Sequence, residues 1–202
     1  MSEHDDKVRR LLKEHGQTYA QEAGIHLRDT PSALYQLCVL SLLSSTRIRA
    51  HIAVAAAKEL FAAGWRTPAR MAEATWQQRV DALGRASYKR YDESTSTALG
   101  EGAQLIVDRW SGDLRKLRAE ADHDPKAIRE QLQRLPRIGP TGAEIFCREA
   151  QGIWPELRPS FDKRAIDGAR AAGLPTKPEA LADLVRPDDL PRLAAALVRS
   201  TL

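Results

Sequence analysis

Leu135-Pro136-Arg137-Ile138-Gly139-Pro140 places two prolines beside a glycine in six residues and is followed by Thr141-Gly142-Ala143. No helix runs through such a segment. On both sides, over 125–134 and 141–151, apolar residues recur three and four apart, the spacing of amphipathic helices. The reading is helix, tight hairpin, helix, over about 126–151. Pro140 at the start of the second helix loses no needed donor. Gly139 is expected to supply a positive φ and to let a ligand approach the backbone closely. The start of that helix presents unpaired N–H groups and about half a positive charge. A phosphate can sit there without its base being read.

The same helical period extends outward from the hairpin, and the alternation of a strand is nearly absent. Helices are expected over 3–22, 32–44, 49–62 and 92–110, with short ones opened by Thr67-Pro68 and Thr75. Beyond the hairpin they are expected over 162–173, 178–184 and 187–198. The segment 32–44 is strongly apolar and reads as a central buried helix. Residues 1–30 and 160–202 are expected to form a terminal lobe, and 31–159 a central one.

The longest apolar run, Leu37 to Leu43, is far shorter than the ~20 residues of a membrane helix. The charged opening MSEHDDKVRR has no apolar core behind it and does not read as a signal peptide. Cys38 and Cys147 are too few for a disulfide framework, a four-cysteine zinc site or an iron–sulfur cluster, and read as core residues. The five histidines show no metal-ligand spacing. Expected from this are a cytoplasmic protein, nucleoid-associated when on DNA, with no metal, no cofactor and no membrane partner, and a monomer by default. The net charge of +4 says little, but its distribution says more. Nine Lys/Arg and three Asp/Glu lie between Leu42 and Tyr91. Such a stretch is either a solvated basic surface or a phosphate-binding one.

Leu135-Pro-Arg-Ile-Gly-Pro-Thr-Gly-Ala143 resembles the hairpin signature L-P-G-[VI]-G-x-x-x-A of the helix–hairpin–helix (HhH-GPD) DNA glycosylases, the superfamily of endonuclease III. Leu40-Ser-Leu-Leu-Ser-Ser-Thr46 is similar to that family's L-L-S-x-Q segment, whose end enters the DNA. Gly152-Ile-Trp-Pro155 resembles its loop after the second hairpin helix, and Ser160-Phe-Asp162-Lys-Arg its V-D-T-H-x-x-R segment. The resemblance runs from about Ser32 to Leu202. It implies an all-α, two-lobed fold with the active site in the cleft between lobes. It also implies a base-excision enzyme that flips a damaged or mismatched base from double-stranded DNA and cuts its glycosidic bond.

Asp162 matches the family's essential aspartate. A fixed carboxylate near C1′ would stabilise the oxocarbenium-like charge of the transition state. An Asp opening a helix is also a common N-cap, and the two roles are compatible. Thr141 occupies the position of the lysine that forms a Schiff base in the strand-nicking members; a hydroxyl forms no imine, so a monofunctional enzyme without lyase activity is expected. Arg137 replaces the first hairpin glycine and either costs about 1–2 kcal/mol in a left-handed backbone or adds a phosphate contact.

DNA contacts are expected from Arg137, Ile138, Gly139, Pro140, Thr141 and Gly142, and from Lys163 and Arg164 beside Asp162. Others are expected from Thr46 and Arg47 as wedge candidates, and from Tyr88, Lys89, Arg90 and Tyr91 as aromatics and cations in one cluster. Tyr35 and Ser45 are candidates for the base pocket, although Tyr35, like Trp154, also suits the core. The alternative is a protein that binds DNA structure through the hairpin and has no turnover.

Overall fold

The computed structural model describes residues 3–202, and every regular element among them is helical. The chain divides into two compact units. A terminal unit holds the chain up to Glu22 together with Cys147–Leu202, and a central unit holds Ala23–Phe146. The sequence placed these boundaries at 30/31 and 159/160. The later one moves because Glu149 and Gln151, both buried, bond within the terminal unit. The Glu149 carboxylate accepts the Ala20 amide at 3.0 Å.

In the central unit, α3 (Pro31–Ser44) carries buried residues on every side, as its apolar run predicts. Packed in the same unit are α4 (Ala50–Ala62), α5 (Pro68–Glu73), α6 (Trp76–Arg85) and α7 (Asp92–Trp110). The starts of α5 and α6 are fixed by the side chains of Thr67 and Thr75, which accept the Arg70 and Gln78 amides. Gly64, at φ +92°, ends the turn after α4 where a side chain would be strained. Arg79, only 7% exposed, has no carboxylate partner among the described residues. Its guanidinium instead donates to the carbonyls of Met71, Ala74 and Ser96 at 3.1, 2.6 and 3.0 Å, tying α5, α6 and α7 together. A helix that the sequence reading passed over, α8 (Leu114–Glu120), is announced by Asp113, whose carboxylate caps the Arg115 amide. Then come α9 (Pro125–Leu132) and α10 (Pro140–Ala150), the two arms of the hairpin, with the unit boundary inside α10.

In the terminal unit the expected single helix over 3–22 is two: α1 (Glu3–His15) and α2 (Tyr19–Glu22). Gly16 and a reciprocal cap cause the break: the Gln21 amide donates to Thr18 Oγ1 and the Thr18 amide to Gln21 Oε1. Following α10 are a 3₁₀ turn (Pro155–Leu157), α11 (Lys163–Ala171), α12 (Pro178–Ala182), a second 3₁₀ turn (Pro187–Asp189) and α13 (Leu190–Arg199). The last helix buries most of its length, and both α1 and α11 pack on it. At Gly168 the approach of α11 to α13 is so close that a Cβ would lie 2.0 Å from the Leu197 carbonyl oxygen.

Candidate nucleic-acid interface and candidate catalytic carboxylate

The hairpin of the central unit is anchored from beneath by Leu135 and Ile138, each 3% exposed, while Arg137, Gly139, Pro140 and Thr141 face solvent. The positive φ expected at Gly139 falls instead on Arg137, at φ +60°. A Cβ on Gly139 would meet nothing within 4 Å, so the close approach it allows is to solvent or a ligand and not to the protein. At the start of α10 the Ala143 amide bonds back to the Gly139 carbonyl at 3.0 Å. Pro140 has no N–H, so the amides of Thr141 and Gly142 are those a helix leaves unpaired. Gly142 itself is buried: a Cβ there would sit 3.2 Å from Ile138 and 3.5 Å from Ser45.

Three segments that are far apart in sequence meet at this hairpin. Ser45, in the turn after α3, packs against Gly142. Next to it, Thr46 Oγ1 lies 3.0 Å from the Tyr88 hydroxyl, which joins that turn to the 88–91 loop. The Tyr91 ring receives the guanidinium of Arg137 at 5.8 Å and that of Arg90 at 5.3 Å, closing the circuit back to the hairpin. Exposed on these segments are Arg47, Arg49, Lys89, Arg90 and Arg137, and none of the five has an ion-pair partner among the described residues. Arg49, at the start of α4, was not singled out in the sequence; only the folded turn places it with the others.

Several expected site residues are buried or bonded within the protein. Tyr88 is fully buried, its hydroxyl between Thr46 and Thr95, so it offers no face to a base; of the two tyrosines only Tyr91 reaches the surface. Tyr35 is 2% exposed. It lines a cavity of about 20 Å³ beneath the hairpin, with Leu135, Pro136 and Ile138 on the facing wall. That is room for one water and not for a nucleobase. Burial pushes the Tyr35 phenol well above its usual range, and its hydroxyl has no hydrogen-bond partner among the described residues. Ser45 spends its hydroxyl on the Leu42 carbonyl at 2.8 Å. A larger groove of about 410 Å³, bordered by Trp65, Arg70, Glu73 and Gln78, contains none of the expected residues. Cys38 and Cys147 are both buried, and burial pushes the Cys38 thiol up to about 12.

In the terminal unit Asp162 is the N-cap of α11, with Oδ1 accepting the Ala165 amide at 2.9 Å. Its Oδ2 accepts Arg148 Nη1 at 2.6 Å; the two side chains are 10% and 4% exposed. The backbone before Asp162 is held as firmly. Gln151, fully buried, accepts the Ser160 amide at 2.9 Å and donates to the Ser160 carbonyl at 2.8 Å. Arg148, in the last turn of α10, thus holds the carboxylate, and Gln151, just beyond the end of that helix, holds the backbone before it. Neither was identified from the sequence; the signal was a charged and polar trio, Arg148, Glu149 and Gln151, inside an otherwise apolar helix end. Lys163 points into solvent and pairs with Asp167 at 2.6 Å, whereas Arg164 is exposed. Among the described residues no cluster of His, Cys, Asp or Glu could hold a metal ion.

No protein-family model and no curated protein matches the sequence. A solved structure does match: a trapped endonuclease III–DNA covalent intermediate described as an estranged-adenine complex. The TM-score is 0.54 at 14% identity, over 96% of this chain and 84% of that one. Identity that low shows the fold alone: an all-α chain in two helical units, arranged as in that structure.

Proposed function

We propose that this protein is a base-excision DNA glycosylase that releases a damaged or mismatched base from duplex DNA by hydrolysis and does not nick the strand. The observation that carries the reading is the Asp162 carboxylate. It is fixed by donors at both oxygens, and each oxygen keeps a lone pair that can face an electron-poor sugar. Cleavage of the bond from C1′ to the base nitrogen builds positive charge on the sugar. A pre-oriented carboxylate stabilises that charge with no reorganisation at the moment of reaction. The attacking water supplies the hydroxyl at C1′, and the base leaves with the bonding electron pair and takes up a proton. Thr141 at the lyase position supports release without an imine. The five unpaired cations around the hairpin support phosphate binding that positions the duplex without reading sequence.

A second reading, DNA-structure binding without turnover, is favoured by one feature: Arg148 pairs with the carboxylate and offsets part of the negative charge that the reaction would use. A single-turnover assay decides between the two. Wild type and Asp162→Asn are tested on duplexes carrying uracil, thymine glycol, 8-oxoguanine, alkylated purines, hypoxanthine or an A·G mismatch, each with and without alkali. Alkali-dependent cleavage that is lost in the variant supports the glycosylase. Tight binding of every duplex with no base released supports the binding protein.

A further inference from the structure

We propose that Arg148 is a positioning residue for Asp162, held in place by the two ends of the chain; this rests on the glycosylase reading above. An N-cap needs only one carboxylate oxygen, and the Ala165 amide satisfies it at 2.9 Å. With that bond alone the other oxygen could rotate. The 2.6 Å bond from Arg148 Nη1 to Oδ2 fixes the plane of the carboxylate.

Arg148 is itself constrained on its remaining sides. Its guanidinium lies over the Tyr19 ring at 5.3 Å, and its Nε stands 4.0 Å from Glu149 Oε1 with no hydrogen bond. Tyr19 is pinned in turn. Its amide donates to Glu149 at 3.4 Å, and its ring carries the Arg199 guanidinium at 4.1 Å. Arg199, in the last helix, also bonds the Gln17 carbonyl and pairs with Glu22. The carboxylate is therefore oriented by a relay that runs from the C-terminal helix through the N-terminal segment to Arg148. A buried guanidinium with an unsatisfied Nε is an expensive way to brace a fold, and a well-packed apolar side chain braces as well. The relay makes sense if it holds the angle of one carboxylate.

The test is the single-turnover rate at saturating enzyme on whichever duplex the wild type cleaves. It is measured for wild type, Arg148→Met, Arg148→Lys, Asp162→Asn and the double variant Arg148→Met/Asp162→Asn, with binding to the same duplex measured separately. Misplacing a catalytic group by about 1 Å costs on the order of 100-fold. Arg148→Met is expected to lower the saturated rate by about that factor with binding changed by less than about threefold. Arg148→Lys is expected to recover part of the loss, and in the Asp162→Asn background Arg148→Met should slow nothing further. A merely structural role would weaken apparent binding through unfolded molecules and leave the saturated rate constant alone. If Arg148→Met does not fold, Arg148→Lys carries the same comparison. A saturated rate within twofold of wild type, or a further loss in the double variant, overturns the proposal while the glycosylase reading stands. A wild type that binds all duplexes and releases no base overturns both.

Discussion

Arg137 stands in a left-handed backbone at φ +60°, where a non-glycine residue costs about 1–2 kcal/mol. In exchange its guanidinium lies over Tyr91 and is free of acidic partners. Strain and stacking are separated by comparing Arg137→Gly with Arg137→Ala, since both remove the guanidinium. Glycine relieves the backbone, less about 0.5–1 kcal/mol for its greater freedom when unfolded. The glycine variant should therefore be the more stable by about 0.5–1 kcal/mol in urea unfolding; a glycine variant less stable than the alanine one by about 0.5–1 kcal/mol would mean that φ carries no strain. Glu149 makes a prediction of the opposite kind. Burial raises its pKa, against the opposing pull of Arg148, the Ala20 and Tyr19 amides and Arg199. A carboxyl raised in the folded state binds more protons there than in the unfolded chain. Its contribution to stability is thus lost as pH climbs above the ordinary glutamate value of about 4.3. Melting temperatures of wild type minus Glu149→Gln should fall as pH goes from 4 to 7. A difference that is constant with pH would show that Glu149 keeps the same protonation in both states.

Helix ends show where the sequence was legible and where it was not. Proline at the first helical position and hydroxyl or carboxylate caps at Thr67, Thr75 and Asp162 marked their helix starts, because a cap is a local interaction that leaves its residue types in the sequence. The break at Gly16 was missed because the apolar period runs on across it, and α8 because seven residues are too few to establish a period. What lay beyond reading was long-range contact. Tyr88 looked like a surface aromatic beside two cations until Thr46 and Thr95 closed over its hydroxyl. Helix contact makes its own prediction at Gly168. A Cβ there would drive into the Leu197 backbone at 2.0 Å, and backbone cannot rotate away as a side chain does. Gly168→Ala should cost about 1–3 kcal/mol or more by forcing α11 off α13. Gly84, in α6, has nothing within 4 Å of a Cβ, so Gly84→Ala should gain about 0.5–1 kcal/mol. Paired thermal melts check both signs, and a neutral Gly168→Ala would mean that the two helices separate at little cost.

For the whole molecule, the hairpin motif and Asp162 were readable because each is a short contiguous pattern, yet they lie in different compact units. Arg47, Lys89, Arg90 and Arg137 were legible as candidate contacts, but the excess over 42–91 was a count that a solvated surface would also give, and it did not single out Arg49. The contacts Ser45 to Gly142, Thr46 to Tyr88 and Tyr91 to Arg137 turn that excess into one face of the central unit. Salt dependence weighs this face against the terminal unit. Each phosphate neutralised contributes about −0.9 to the slope of log K against log salt. Arg47, Arg49, Lys89, Arg90 and Arg137 together then predict about −4.5 for undamaged duplex, and each alanine substitution among them lowers the magnitude by about 0.9. Arg164, exposed and two residues after Asp162, tells the two functional readings apart. A glycosylase must bring the duplex to Asp162 as well as to the hairpin, so Arg164→Ala should also lower the slope by about 0.9. A binding protein that uses the central unit alone predicts the same slope with or without Arg164. Fluorescence anisotropy of a labelled duplex between 50 and about 300 mM salt spans enough of the counterion effect to resolve one phosphate. An unchanged slope for Arg164→Ala, beside a reduced one for Arg137→Ala, would count against delivery of the duplex to Asp162.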